Sequence, residues 1–314
     1  MTTPNATPSA IHDIGYRHYD GPRLGRAYIL RSLFVQNLRA AYGLGRPAKA
    51  KALPFILFAF MLVPALGSIA LVALAKEPRL LIRYSAYTID LQILVAIFLA
   101  TQSPVLASRE LRSHVIPLYF SRPVGALDFV LAKFGAFATA LFVLMATPVT
   151  LLYAGALATR DPKAKSLLNA RPGDTPSHVD SVGTHTLHYL GALTGCLLFA
   201  LVLAALGLVI AAWTPRRGFG VAAVMAVYML SSSIVLIVQG IATTQGHYEV
   251  AGWAGLFSVF NLIDIVQTKL LGATSTMEVP TSALAGPAAA LLCAAIVAGA
   301  LAILYTRFRK AGTS

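Results

Sequence analysis

Six long stretches of the chain are almost wholly apolar, and polar or charged residues gather in the intervals between them. The stretches are residues 52–75, 84–107, 134–158, 187–213, 218–241 and 284–306. Each is long enough to cross the hydrocarbon core of a bilayer as an α-helix, which takes roughly 20 residues. The pattern therefore predicts an all-α integral membrane protein with six transmembrane helices within residues 52–306. An even number of spans places both termini on one side.

The two ends of the chain, outside the apolar stretches, are polar or basic. Residues 1–22 contain three prolines and are typical of an extended polar tail. Residues 23–44 carry apolar side chains at helical spacing, with Leu30 and Phe34 on one face. This segment is predicted to be an interfacial amphipathic helix that lies on the membrane surface. The alternative is a helix that packs on a cytoplasmic partner. Residues 307–314 form a basic C-terminal tail.

Composition and charge agree with a membrane protein. The 314 residues are 57% hydrophobic and only 12% charged, which lies outside the usual range of soluble domains. The net charge of +13 comes mostly from basic residues next to the ends of spans, so it indicates anionic membrane lipids rather than nucleic acid. Seventeen of the 25 lysines and arginines fall on the side of the termini. Basic residues near short loops stay in the cytoplasm, which predicts a multi-pass protein of the cell membrane with both termini cytoplasmic.

The interval between the second and third stretches, Ser108–Lys133, is too patterned for a simple linker. It reads SRELRSHVIPLYFSRPVGALDFVLAK. A charged helix end is followed by an apolar patch, by a turn with proline as a good first helical residue, and by a new helix. The pattern predicts a short cytoplasmic helix between two breaks. Its apolar ridge (Leu118, Phe120 and Val124), framed by Arg122 and Asp128, would suit a groove on a soluble partner.

The second stretch is unusual because it contains the polar residues Asp90, Gln92, Thr101 and Gln102. A carboxylate is costly in lipid and faces the bundle interior or a wet cavity. These four residues are therefore candidates for the lining of a translocation path. The alternative for Asp90 is a place at the headgroup level, paired with a neighbouring arginine, Arg83 or Arg79.

Residues 242–283, before the sixth stretch, contain a second irregular element. Trp253–Leu271 is apolar but includes Asn261, Asp264 and Lys269. A seventh span here would place the basic C-terminus outside, so a short re-entrant or amphipathic hairpin on the outer face is preferred. The other long outer interval, 159–186, is rich in proline, aspartate and lysine, and is predicted to be an exposed excursion.

Sequence motifs for chemistry are missing. The chain has no phosphate-binding G-x-x-x-x-G-K-[ST] loop, no H-E-x-x-H helix and no G-x-S-x-G turn. His178, His185 and His188 form the one histidine cluster, and the last two share a helical face. Exposed loop histidines explain this cluster more simply than a metal site does. We therefore predict no catalytic residue, metal or cofactor in this chain, and ATP chemistry, if used, would belong to another chain.

The central interval resembles a known family. Arg109-Glu110, Leu118, Ser121, Pro123-Val124 and Lys133 follow in the order of the "RE…G-T…L…S-P-V…G-K" signature of ABC type-two exporter permeases. Alanine stands where glycine usually precedes the lysine, and His-Val where glycine and threonine are common. The opening IHDIGYRHYDGPRLGR also looks like the N-terminus of actinobacterial-type members.

The resemblance implies a six-span permease that pairs with a second permease copy or a similar permease and with two separate ATPase subunits, which bind ATP and Mg. It implies export and an alternating-access mechanism. The residues it assigns to ATPase coupling are Glu110, Leu118, Ser121, Arg122, Pro123, Val124 and Asp128. Arg216 and Arg217 are candidates for a lesser contact, although positive-inside retention also explains them. A membrane-embedded enzyme and a passive channel subunit, both without an ATPase, are the alternatives.

Overall fold

The computed structural model describes most of the chain. The described residues are 21, 25–75, 82–113, 115–120, 124–159, 165–166, 177–178, 182–214, 216–273, 275 and 277–313.

Helices make up nearly all of the described structure. They are α1 (Arg26–Ala41), α2 (Ala48–Ala75), α3 (Tyr87–Asp90), α4 (Gln92–Leu106), α5 (Ser108–Arg112), α6 (Ile116–Phe120), α7 (Ala126–Ala158), α8 (Val182–Trp213), α9 (Arg217–Thr244), α10 (Tyr248–Ala254), a 3-10 turn (Gly255–Phe257), α11 (Val259–Leu271) and α12 (Ala285–Thr313). Two antiparallel strands of two residues each, β1 (Lys165–Ser166) and β2 (Ser177–His178), lie in the long interval between α7 and α8.

Six elements among the described residues are long and apolar enough to cross a membrane, which confirms the predicted number of spans. They are α2, α4 continued by α5, α7, α8, α9 and α12. The chain is therefore a multi-pass membrane protein.

The predicted start of the second span was wrong. Leu91 leaves the helical conformation and separates α3 from α4, so the candidate span runs from Gln92 to Arg112. Asp90 lies before this span, and its side chain is exposed. The sequence does not show this break, because Leu91 is itself apolar and the residues on both sides of it are also typical of one continuous helix.

The third span also starts earlier than predicted. Helix α7 begins at Ala126 and contains 33 residues, which gives a length of about 50 Å. The hydrocarbon core is roughly 30 Å thick, so one or both ends of α7 extend beyond it. The new helix predicted at the end of Ser108–Lys133 is thus continuous with the third span, and Lys133 lies within it.

Helices α7 and α8 form the centre of the bundle. They pack along each other, and most of their apolar stretches are buried. A small residue also allows α8 to pack closely on α4: a Cβ on Gly207 of α8 would lie 2.7 Å from the side chain of Leu99 on α4. By contrast, only 11% of the apolar stretch of α9 is buried.

Helix α1 packs along the first half of α7. The hydroxyl of Tyr42 donates a hydrogen bond of 2.8 Å to the carbonyl of Ala140. The buried residues of α1 are Leu33, Asn37 and Ala41, so the buried face is turned toward Asn37 relative to the predicted apolar face. A polar residue belongs to this face because it has a polar partner on α7, described below. Contact of α1 with the membrane surface stays a prediction.

The segment before α12 is bent, as the polar residues within it predicted. Helix α10 and the 3-10 turn that follows it meet α11 at an angle of 119°. The bend lies at Ser258, which has an extended backbone, and α11 ends at Gly272 in the left-handed conformation (φ 67°). The position of α10 and α11 on the outer face remains a prediction.

Candidate functional site

Helix α6 is a short element fixed to one end of the bundle, which we call the α6 end. Ile116 is buried at 1% exposure and belongs to the hydrophobic core. The ring of Tyr119 lies 5.3 Å from that of Phe129 on α7, measured between centroids. Leu118 is 69% exposed. One face of α6 is therefore anchored, and the other presents an apolar side chain outward.

Aromatic rings connect α6 to both α7 and α12. Phe129 lies between Phe120 and Phe308, at centroid distances of 5.9 and 5.3 Å. Phe120 also packs on the last turns of α12, where a Cβ on Gly312 would lie 2.0 Å from its ring. A side chain at this position would displace the ring from its present place, so the glycine lets the end of α12 lie against α6.

A buried lysine joins three helices beneath α6. The Nζ of Lys133 donates hydrogen bonds to Glu110 Oε2 (2.7 Å), to the carbonyl of Leu106 (2.7 Å) and, at 3.4 Å, to Asn37 Oδ1. Lys133 is 1% exposed and lies over the ring of Phe129 at 4.8 Å. A buried ammonium group requires such partners. Helices α1, α4–α5 and α7 are thereby joined at one point.

A second ion pair joins the start of α1 to the start of α7. The guanidinium of Arg26 donates two hydrogen bonds to the carboxylate of Asp128, at 2.7 and 2.5 Å. This bidentate geometry is the strong form of the arginine–carboxylate pair. The hydrogen bond to Asp128 and its negative charge raise the pKa of Arg26. Asp128 is buried and lies in the first turn of α7, where the helix dipole favours a negative charge.

A third contact fixes α5. The hydroxyl of Ser108 donates a hydrogen bond of 2.6 Å to the carbonyl of Ala211 on α8. Both helices that flank α6 in the chain, α5 and α7, are thus bound to the rest of the bundle.

Some of the predicted coupling residues are engaged in ion pairs, and others are exposed. Glu110 and Asp128 are engaged in the two ion pairs, whereas Leu118 is exposed. Val124 lies half-buried in a small cleft beside α1. Arg216 and Arg217 are exposed at the start of α9. The remaining predicted residues, Ser121, Arg122 and Pro123, lie outside the described residues.

The predicted path residues do not converge. Asp90 is exposed and forms no ion pair with the described residues, while Arg79 lies outside them. Thr101 bonds to the carbonyl of Ile97 at 2.8 Å, and the buried amide of Gln102 donates to the Thr101 hydroxyl at 3.2 Å. The pair 101–102 lies about ten residues, or about 15 Å, along the chain from Asp90 and Gln92.

The predicted histidine cluster shows no metal-binding arrangement among the described residues. His185 Nδ1 lies 3.3 Å from the hydroxyl of Tyr84, and His188 is exposed. Within the described part of the chain, no three histidine, cysteine or acidic residues are grouped closely enough to bind a metal.

Sequence reasoning missed the role of Lys133 and Asn37. A signal was present: Lys133 stands alone in the apolar run FVLAKFGAFA, where a charged residue demands a partner. Asn37 similarly interrupts the apolar face of α1.

The fold and this site define a polytopic helical membrane protein with a small anchored helix at one end of its bundle. This architecture is consistent with the membrane subunit of a transporter. A family model described as "ABC-2 family transporter protein" matches residues 76–304, which is well over half of the chain, so the chain belongs to the ABC-2 transporter family. It is a permease subunit of an ABC transporter, and the family implies ABC ATPase subunits as partners. No curated protein matches the chain.

Proposed function

We propose that this chain is the permease of an ATP-driven exporter and that an ATPase subunit docks on α6 to drive it. The observation that carries the proposal is the exposed Leu118 on a short helix that is otherwise anchored by buried and aromatic side chains. An exposed large apolar residue on a rigid support is suited to a pocket on a soluble protein.

The contacts beneath α6 support a mechanical role. A force on α6 would pass through Phe120 and Phe129 to α7 and α12. The Lys133–Glu110 pair would carry the same displacement to α4–α5 and, through Asn37, to α1. Packed interiors shift as units rather than deforming smoothly, so these helices would move together.

The rest of the docking surface would come from neighbouring residues. Ser121, Arg122, Pro123 and Val124 follow α6 in the chain and are the proposed additions. Arg216 and Arg217 would form a lesser contact from the start of α9, which contacts α5. Glu110 and Asp128 would support this surface through their ion pairs rather than touch the ATPase.

Two permeases and two ATPase subunits would form the complete transporter. ATP with Mg would bind in the ATPase subunits, and their closure would alternate the access of a path between the two permeases. Asp90, Gln92, Thr101 and Gln102 are the proposed lining of that path. The α6 end and both termini would face the cytoplasm of a cell whose plasma membrane holds the complex.

Co-purification tests the proposal. The tagged full chain is purified from its native cells, and the ATPase subunit is identified by mass spectrometry. Leu118→Asp is expected to reduce the recovered ATPase about tenfold or more, because loss of a buried apolar anchor costs about 2 kcal/mol or more. Leu284→Asp is the matched control, since Leu284 is 72% exposed and precedes α12 at the opposite end. Equal recovery from both variants would reject docking at α6.

A further inference from the structure

Helix α12 touches an irregular segment of the molecule at each of its ends. It is a continuous helix of 29 residues, Ala285–Thr313, and is therefore about 43 Å long. Its neighbours among the described helices include both α6 and α11. One unbroken element thus joins the α6 end to the opposite end, which carries α10 and α11.

Both of these contacts are close because a glycine of α12 lies at each of them. In the first turn of α12, a Cβ on Gly286 would lie 2.9 Å from the Cβ of Lys269 on α11. In the last turn, a Cβ on Gly312 would lie 2.0 Å from the ring of Phe120 on α6. A Cβ on Gly299, midway between them, would meet no atom of another element within 4 Å among the described residues. Close contacts at both ends would pass a displacement of α12 from one segment to the other.

Helix α11 is buried on every side. Eight consecutive residues, Phe260–Gln267, are buried, although a helix enclosed in this way is normally apolar all round. Asn261 and Gln267 are 5% and 2% exposed. Gln267 lies directly against α8, where a Cβ on Gly195 would lie 2.0 Å from its Nε2. Helix α11 therefore packs between α8 and α12 with polar side chains inside the contact.

Two polar atoms of α11 have unmet hydrogen bonds in this arrangement. Gln267 Oε1 and Thr268 Oγ1 are buried, and neither has a hydrogen-bond partner among the described residues. Burial of a polar atom without a partner is unfavourable and requires an explanation. A leucine or methionine would fill the same space without that penalty. A second arrangement, in which these atoms meet water or a polar molecule, explains why they are polar.

The α10–α11 segment is attached tightly to the start of α12 and loosely to α9. Gly252 of α10 packs on the chain that enters α12, where its Cβ would lie 2.3 Å from the nitrogen of Pro280. Between α9 and α10, Gly246 has a left-handed backbone (φ 78°), and a Cβ there would meet no atom within 4 Å among the described residues. A residue of this kind can absorb the change in backbone angles at a hinge. Movement of α12 would therefore carry α11 away from α8, with rotation at Gly246.

We propose that α11 closes the outer end of the transport path and that α12 opens this closure when the ATPase displaces α6. In the open state Gln267 and Thr268 line the path and accept hydrogen bonds from a polar cargo. This proposal rests on the proposed function, because it takes the ATPase at α6 as the source of the movement. It adds a closure and two lining residues at the opposite end of the bundle.

Cysteine accessibility tests the closure in the purified permease with its co-purified ATPase in lipid nanodiscs. Thr268→Cys is made in a C196A/C293A background, and a polar maleimide is the probe. ATP with vanadate is expected to raise the labelling rate at position 268 about tenfold or more, because the minor state of such an equilibrium is populated at about 10% or less before it is trapped. Ile265→Cys is the matched control, since Ile265 is buried against Gly255 of the 3-10 turn and moves with it. The control rate is expected to change less than about twofold.

Alanine at the glycines of α12 tests the link between α6 and α11. G286A and G312A are each expected to reduce the nucleotide response at position 268 about fivefold or more, because overpacking displaces the close contact. G299A is the matched control and is expected to keep the full response, since its Cβ meets no neighbouring element. The co-purified ATPase and its hydrolysis of ATP are measured in every sample, which separates loss of the link from loss of the ATPase.

The other outcomes overturn the proposal. An unchanged rate at position 268 in a sample that hydrolyses ATP would exclude the closure, and equal increases at positions 265 and 268 would indicate general loosening instead. A full response in G286A would exclude α12 as the link; if G312A does not fold, G286A is compared with G299A alone. If no ATPase co-purifies, the proposed function fails. The link is then tested without nucleotide, where G312A must label position 268 faster than G299A, and equal rates would overturn it.

Discussion

The two ends of the bundle hold their irregular segments by different means. At the α6 end the contacts are made by full charges, in the pairs of Lys133 with Glu110 and of Arg26 with Asp128. At the end that carries α10 and α11, hydrogen bonds hold the segment, and the described residues form no ion pair there. The amide of Gln239 donates to the carbonyls of Ala251 and Glu278, at 3.1 and 3.4 Å.

Asp264, a buried acidic side chain at the α10–α11 end, bonds to the return segment after α11. Asp264 Oδ2 accepts hydrogen bonds from the hydroxyl of Ser275 (3.0 Å) and the amide of Met277 (3.2 Å), which holds the return segment after α11. Hydrogen bonds to the backbone fix a local shape, whereas ion pairs between distant helices fix the helices relative to one another. The ion pairs of the α6 end therefore hold α1, α4–α5 and α7 to one another, whereas the hydrogen bonds of Asp264 hold the bent shape of the α10–α11 end.

The largest loss of stability is expected from Lys133→Met, which removes the ammonium group that bonds to three helices at the α6 end. Glu110 and the carbonyl of Leu106 would lose their donor, so we expect the free energy of unfolding to fall by about 3 kcal/mol. Denaturant unfolding in detergent measures it. Lys49→Met, at an exposed lysine, is the control and is expected to change stability by less than about 0.5 kcal/mol. Equal effects from the two variants would contradict a central role for Lys133.

The α10–α11 end is tested by Gly252→Ala. A Cβ at this position would lie 2.3 Å from the backbone nitrogen of Pro280, so the variant is expected to lose about 1–3 kcal/mol through overpacking. Gly240→Ala is the matched control, because its Cβ would meet no atom within 4 Å. The control is expected to be neutral or slightly stabilising, as alanine favours helix over glycine. A stable Gly252→Ala variant would show that this end is loosely packed.

The smallest effect is expected from Arg26→Gln. Its side chain is 70% exposed, and solvent screens an exposed guanidinium, so its ion pair with Asp128 is expected to contribute little to stability. Thermal unfolding at low and high salt should show a small loss that disappears as salt screens the pair in the parent. A loss as large as that of Lys133→Met would mean that the two ion pairs do not differ as their burial indicates.

The number of spans could be predicted from the sequence because long apolar runs admit few other structures. Asn261 and Asp264 likewise indicated that Trp253–Leu271 is not a straight span. The ends of spans were less accessible. The break at Leu91 depends on backbone packing, and α7 continues through the charged turn at Asp128 because that charge is paired.

The site was predicted only in outline. The sequence pointed to the segment around α6 and to Leu118, but it treated Glu110 and Asp128 as surface charges. Their partners lie 23 and 102 residues away along the chain, and no local pattern specifies such pairs. Single charges in apolar surroundings, such as Lys133, are the local sign that a distant partner exists.

Photo-crosslinking from position 118 is a direct test of whether the ATPase docks on α6. A photoreactive amino acid replaces Leu118 in the full chain, and the purified complex with its co-purified ATPase subunit is illuminated. Docking on α6 predicts a covalent product between the permease and the ATPase from position 118 and none from the same substitution at Leu284. Absence of the product at 118, or equal yields at both positions, would contradict docking of the ATPase on α6.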